Sequence, residues 1–250
     1  AGTTLAARFN EKGGYLKSYV GDNSVFIDTM MNVAIILYAA RESSNRKLRD
    51  IALRHARTTR RVLVRGDGST AQEGIFDTDT GEFLRQTTHQ GYRGDSCWSR
   101  GLAWAMYGFT TCYEYSRDPH FLHTAEACAD FYITHAPADG IAPWDFNAPV
   151  ESRVLPDSSA AAIACQGLIR MGNYLKSSDA AIAQKYFQAG LTVLDRLLEE
   201  PYLGTDPKHQ GLLLHSVYHR PNGWDHIPEG QKVHCGEACQ WGDYHLREAA

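Results

Sequence analysis

The feature that most constrains the fold of this chain is a repeated alternation between two kinds of helical segment. Ile27 to Ala40 is apolar nearly all round, through Met30, Met31, Val33, Ala34, Ile35, Ile36 and Leu37, and predicts a helix buried on most sides. Arg46 to Val64 follows, with Leu48, Ile51, Ala52, Ala56, Val62 and Leu63 on one stripe and Arg or Lys elsewhere, the pattern of a helix with one wet face. The pair recurs. Trp98 to Phe109 is apolar, with small Gly101, Ala103, Ala105 and Gly108 permitting close packing, and His120 to His135 is amphipathic, with Asp118 as N-cap and Pro119 in the first turn. Ser158 to Met171 is small and apolar, and Asp179 to Leu198 is amphipathic.

Asp28, Asp95 and Asp157 introduce the three apolar helices at intervals of roughly 60–70 residues, the period of a repeat architecture. Inner helices buried on all sides and outer helices with one wet face make a double-layered ring, an all-α (α/α) toroid. An open solenoid would need polar capping repeats, which neither end supplies. The pattern holds three full pairs and a fragment at each end, whereas six pairs at ~60 residues each need on the order of 360 residues. The 250 residues are therefore expected to form a single toroid catalytic domain, incomplete on its N-terminal side, with the first residues as the tail of an outer helix.

Other classes fit poorly. A net charge of −4 argues against a phosphate-tracking nucleic-acid binder. No apolar run reaches the roughly 18 residues of a membrane helix. The start, Ala1 to Arg8, has no basic region followed by an apolar one and no Met, and reads as left by processing or truncation. Six cysteines are too sparse for a disulfide framework, and Cys97, Cys112, Cys128 and Cys165 sit where a thiol packs as a small hydrophobe. His234, Cys235 and Cys239 are close together, but no second Cys/His pair at zinc spacing follows, so no metal is expected. His215 and His219 lie in or beside an alternating segment, Leu212 to Tyr218, that reads as a short strand or loop, where surface or hydrogen-bonded roles suit them.

The loops entering the inner helices collect the residues with chemistry: Phe26-Ile27-Asp28-Thr29-Met30-Met31-Asn32, then His89-Gln90-Gly91-Tyr92 and Asp95-Ser96-Cys97-Trp98-Ser99-Arg100 with Trp104, then Trp144-Asp145-Phe146, then Asp157-Ser158-Ser159. These starts face one end of the ring. Indole faces stack on sugars, carboxylates serve as acid and base, and Arg pairs with a substrate carboxylate. Each also has a plainer role. An Asp before a helix is by default an N-cap, and Trp98 and Trp104 could equally be core. Arg100 on an apolar helix needs an anion, either Asp95 one turn before it or a ligand carboxylate.

Taken together and in order, these motifs, with Trp241-Gly242-Asp243-Tyr244 near the end, resemble the unsaturated glucuronyl hydrolase family of glycoside hydrolases, essentially from end to end. The resemblance implies an (α/α)6 barrel and removal of a 4,5-unsaturated uronic acid from the non-reducing end of lyase-generated oligosaccharides. The route it implies is hydration: an acid protonates C4, water adds at C5, and the hemiketal opens and expels the aglycone. Asp28 matches the essential acid/base carboxylate. Gln90, Trp98, Arg100 and Trp104 match residues lining the sugar pocket, and Gln72 and Asp95 join them as candidate substrate contacts.

Three departures accompany the resemblance. The family's second key aspartate, in a His-Asp-x-Gly-Phe type motif, lies upstream of any residue in this sequence. A pocket histidine following Gly-Ser-Thr is Gln72 here, and a Gln between Arg-Gly and Ala-Trp is Leu102. A helix N-terminus should lower the pKa of Asp28, whereas a general acid needs it raised, and a neighbouring carboxylate would resolve the conflict. Without the upstream aspartate the chain is expected to turn over poorly. Two alternatives remain, an unsaturated rhamnogalacturonyl hydrolase on the same toroid and a non-catalytic helical binding protein. Acid-catalysed hydration needs no cofactor, the expected partner is an oligosaccharide and neither nucleic acid nor membrane, and the resemblance implies a cytoplasmic location.

Overall fold

The structure, a computed structural model, describes residues 1–153, 155–226, 229 and 236–250. Its elements run α1 (Gly2–Ala6), β1 (Phe9–Asn10), β2 (Tyr15–Leu16), β3 (Ser24–Phe26), α2 (Thr29–Glu42), α3 (Arg46–Leu63), β4 (Glu73–Phe76), β5 (Phe83–Thr87), α4 (Ser99–Ser116), α5 (Pro119–His135), α6 (Val150–Arg153), α7 (Ser158–Leu175), α8 (Ala180–Leu197) and α9 (Gln240–Ala249). Every long helix expected from periodicity forms, with ends shifted by at most four residues except in α4, which runs on from Phe109 to Ser116.

The inner layer is α2, α4, α7 and α9, each packed on the next, and α3, α5 and α8 lie outside α2, α4 and α7. This is the two-layer arrangement of an (α/α)6 toroid, traced by the described residues as an arc. The caps follow the expected chemistry. Asp118 accepts from His120 N at 3.1 Å with Pro119 in the first turn, Asp179 accepts from Ile182 N, and Asp157 accepts from Ser159 N and Ala160 N. Gly108 shows why α4 needs small residues, since a Cβ there would lie 2.5 Å from Met30 O on α2.

One helix departs from expectation. α2 is not buried all round: Ile35 is 41% and Tyr38 48% exposed, while Met30, Val33, Ile36 and Leu37 are buried. The five-residue α1 covers part of that outer side, with Gly2 seated on the Ile35 carbonyl and Ala39. α1 packs on α2 and α3.

The loops that enter the inner helices carry two small antiparallel sheets, β1-β2 and β3-β4-β5. In the second, Phe26 pairs with Glu73 and Glu73 with Thr87, which brings the chain before α2 beside the chain before α4. Leu212 to Tyr218 is a loop with one bridge, Leu203 to Leu213. Cys97, Cys112, Cys128 and Cys165 are buried free thiols. His234 and Cys235 fall outside the described residues. Among the described residues no helix is long and apolar enough to cross a membrane.

Candidate active site

Asp28 ends the sheet connection and opens α2, yet it does not cap the helix. Its backbone is already helical (φ −54°, ψ −32°) and its side chain accepts no bond from the first turn. Oδ2 is buried and has no hydrogen-bond partner. An unsolvated, unpaired carboxylate oxygen disfavours the charged form, and burial raises the pKa of Asp28 to about 6, against the opposing pull of the Arg100 charge and of the Gln72 amide. Desolvation is the largest influence on Asp28 and raises its pKa against the pull of the helix terminus.

Gln72 holds the floor beside it. The Gln72 carbonyl accepts from Ile27 N at 2.9 Å, and the buried Gln72 side chain organises the turn before α4. Oε1 accepts from Thr88 Oγ1 at 3.1 Å and from His89 N at 2.6 Å, and Nε2 donates to Gln90 Oε1 at 3.4 Å. Gln72 and Gln90 are therefore brought together next to Asp28.

Arg100 is corrected in its partner. Asp95 does not pair with it; Asp95 is exposed, bonds Arg93 Nε at 2.9 Å, and does not start α4, whose N-cap is Trp98. The anion is Asp157, with Arg100 Nη1 3.3 Å from Oδ2 and both groups buried. The guanidinium also donates to the carbonyls of Val217 and, at 2.7 Å, Tyr218. Its carbon lies 4.6 Å from the Trp98 ring centroid and 4.9 Å from that of Trp241, a cation held between two indoles. Trp98 is 2% and Trp104 7% exposed, the latter edge-on to His245, so both meet the core role.

Asp145 and Asp157 are structural acids. Asp145 accepts from Tyr92 N, Asn147 N and Ser96 Oγ, folding the 91–97 loop, and burial raises its pKa. Asp157 adds Val217 N at 3.2 Å to its cap and its Arg100 pair.

Sequence reasoning left three groups without a role. Glu73, 2% exposed, receives the Ser24 hydroxyl and lies 3.2 Å from His89 Nε2. Tyr19, 76% exposed, feels the charges of Asp28, Glu73 and Tyr218, which help to raise its pKa after burial does. Trp241 completes the Arg100 stack. The buried glutamate inside a strand was the available signal, because an ionisable side chain on an apolar face needs a partner. A cleft of about 260 Å³ adjoins, lined by Tyr218, Arg220, Trp224 and Trp241 among others. Asp28 does not line it.

The profile of Glycosyl Hydrolase Family 88 matches residues 4–144, more than half of the sequence. The chain belongs to glycosyl hydrolase family 88. It is 34% identical to an unsaturated glucuronyl hydrolase of Formosa agariphila over 98% of this chain and 60% of that protein. It is 31% identical to an unsaturated chondroitin disaccharide hydrolase of Streptococcus pyogenes over 100% of this chain and 61% of the relative. The crystal structure of the unsaturated glucuronyl hydrolase of Bacillus sp. GL1 matches with a TM-score of 0.89 at 30% identity, covering 99% of this chain and 65% of that one. The chain thus spans less than two thirds of the length of these family 88 relatives.

Proposed function

We propose that this protein removes a 4,5-unsaturated glucuronic acid from the non-reducing end of oligosaccharides such as glycosaminoglycan disaccharides, by hydrating the C4=C5 bond. Asp28 is the acid in this reading. It delivers its proton to C4, a water supplies hydroxide to C5, and the water's remaining proton returns to the carboxylate. The C5 hemiketal then opens and releases the aglycone from C1. Gln72 and Gln90 border the sugar, and the Trp98–Arg100–Trp241 stack forms the wall behind them, with Trp104 supporting it from the core. Asp95, paired with Arg93 on the surface, has no part in it.

The observation that carries this reading is the buried, unpartnered Oδ2 of Asp28, which keeps the carboxyl protonated into the range where a general acid is useful. The names of the relatives support the substrate class.

The test follows the loss of absorbance from the conjugated double bond of an unsaturated chondroitin disaccharide. Slow decay with the chain and none with Asp28→Asn is expected. Decay that persists in Asp28→Asn excludes Asp28 as the acid. A chain that neither consumes the disaccharide nor gains thermal stability in its presence does not act on this class of sugar.

A further inference from the structure

The outer helix α3 carries a charge that the chemistry at Asp28 does not use. Between Arg46 and Leu63 it holds six arginines and one lysine against a single acid, Asp50, in a chain whose net charge is −4. Its apolar stripe faces the core, where Leu48, Ile51, Ala52, Ala56, Val62 and Leu63 are all buried. The opposite side is basic and exposed.

The middle of that side is neutralised. Arg54 Nη1 lies 2.6 Å from Glu11 Oε2 and 3.7 Å from Asp50 Oδ2, and Arg57 Nη2 lies 3.4 Å from Asp118 Oδ2. The two ends are not. Arg46, Lys47, Arg49, Arg60 and Arg61 make no ion pair among the described residues, and Arg60 Nε donates to the neutral Thr124 hydroxyl at 2.9 Å. Each end opens on a groove. One of about 350 Å³ is lined by Arg41, Arg46 and Arg49 beside Leu37 and Tyr115, and one of about 340 Å³, between α3 and α5, by Arg60, Arg61 and Arg65. Arg49 and Arg60 are eleven residues apart, so they return to the same side of the helix after three turns, roughly 16 Å along it. A solvated face would mix its signs. Here like charges fall three or four residues apart, at Arg46 and Arg49 and at Arg57, Arg60 and Arg61, where they repel. Arg46 and Lys47 also stand in the first turn, against the positive end of the helix. An anion laid across the helix offsets both penalties.

We infer that the outer face of α3 is a docking surface for an anionic polysaccharide chain, whose carboxylates and sulfate esters seat in the arginine grooves at its two ends. The choice of a glycan among polyanions rests on the function proposed above. Arginine suits it, because a planar fork meets a carboxylate or a tetrahedral oxyanion through parallel hydrogen bonds. The separation of the grooves calls for a chain of several sugars rather than a disaccharide. A lipid surface fits less well, since the exposed residues of α3 are all charged and none is apolar for insertion. A single-stranded nucleic acid would likewise find no ring on this face to stack upon. The surface keeps the protein on the polymer whose cleavage supplies its disaccharide.

The test uses end-labelled chondroitin sulfate with saturated ends, which offers no double bond for hydration, and reads its fluorescence anisotropy with the 250-residue chain. Binding is expected, weakening as salt rises from about 50 to 200 mM. The triple variant Arg46→Gln, Arg49→Gln, Arg61→Gln should weaken it by roughly tenfold or more. The triple variant Lys176→Gln, Lys208→Gln, Arg247→Gln removes the same charge from exposed residues elsewhere and should stay within about twofold of the unaltered chain. Consumption of the unsaturated disaccharide should be equal in all three proteins. No binding of the polymer, equal weakening in the two variants, or tighter binding of duplex DNA or of phosphatidylserine vesicles than of the polymer overturns the proposal. Polymer bound through α3 by a chain that leaves the disaccharide untouched keeps the docking surface and removes the function proposed above. A chain that consumes the disaccharide and does not bind the polymer does the reverse.

Discussion

Arg100 on α4 and Asp157 at the start of α7 meet at 3.3 Å, Nη1 to Oδ2, with side-chain exposures of 3% and 0%. The pair does three things at once. It joins two neighbouring inner helices, it leaves Asp157 Oδ1 to cap α7 through Ser159 N and Ala160 N, and it draws in the 217–218 backbone on both its partners. The wall of the candidate site is therefore built by charge satisfaction as much as by apolar packing, and the guanidinium is committed to the protein before any sugar arrives.

Removing one member should be expensive. Asp157→Ala strands a buried cation and removes a cap, so urea unfolding is expected to give a loss of about 3–5 kcal/mol. Asp95→Ala, on an exposed pair, should change stability by at most about 1 kcal/mol. Equal losses in the two variants would contradict the assignment of Asp157 over Asp95.

The pH dependence of turnover follows from Asp28. With its pKa raised to about 6, the acid form is retained at lower pH and lost as pH rises through that value, so kcat/KM should fall on the alkaline side with an apparent pKa near 6. Stability carries the same sign. A carboxyl whose folded pKa lies above its ordinary value destabilises the fold once it ionises, here on the order of 3 kcal/mol, lost between about pH 4 and 6. Asp28→Asn should be inactive yet more stable than the unaltered chain above pH 6. A destabilised Asp28→Asn at pH 8 would show that the carboxylate is solvated or paired in solution.

Much of this architecture is legible in the residues because helices declare themselves by period. The alternation of apolar and striped segments places six helices and orders them into two layers, and Asp118 and Pro119 mark one start unaided. The small sheets are not legible. Ser24–Phe26 and Glu73–Phe76 are three and four residues long, too short for a two-residue period to stand out, and their pairing is set by the helices they connect. Arg100 shows the limit for sites: its need for an anion follows from its apolar neighbours, but Asp157 is distant in sequence and only the packing of α4 on α7 selects it. The Asp28 pKa fails for the same reason, since desolvation is a property of the assembled mouth.

His55 supplies a second pH signature, of opposite sign. It is fully buried on α3, and its Nδ1 accepts from Leu16 N at 3.0 Å, which pins β2 to the helix and requires a neutral ring. Burial lowers its pKa to about 3. A histidine whose folded pKa is lowered must bind its proton on unfolding, so the stability it protects is present above about pH 6.5 and declines as pH falls toward 3. His245, lowered to about 4 by burial and then by Arg170, adds to the same slope. Melting temperature should therefore drop steadily below pH 6.5, and His55→Gln should flatten the slope while lowering stability at pH 7. A slope unaffected by the substitution would mean that other groups drive the acid transition.

The contact of α4 with α2 rests on a single missing methyl. At Gly108 a Cβ would stand 2.5 Å from Met30 O and 2.6 Å from Met30 Cβ, two residues after Asp28, with no flexible side-chain end to yield. Alanine favours a helix interior by about 1 kcal/mol over glycine, so on propensity alone Gly108→Ala would stabilise α4. The overlap outweighs this, because relieving it moves one inner helix off another through a close-packed core, at a cost of about 1–3 kcal/mol. The helices should part near Met30, which lets water reach Asp28 Oδ2 and brings its pKa back toward the ordinary carboxylate range. Gly108→Ala is thus expected to lower the melting temperature and to shift the alkaline limb of kcat/KM to lower pH. A variant that is less stable with an unshifted limb would separate the helix contact from the desolvation of the acid.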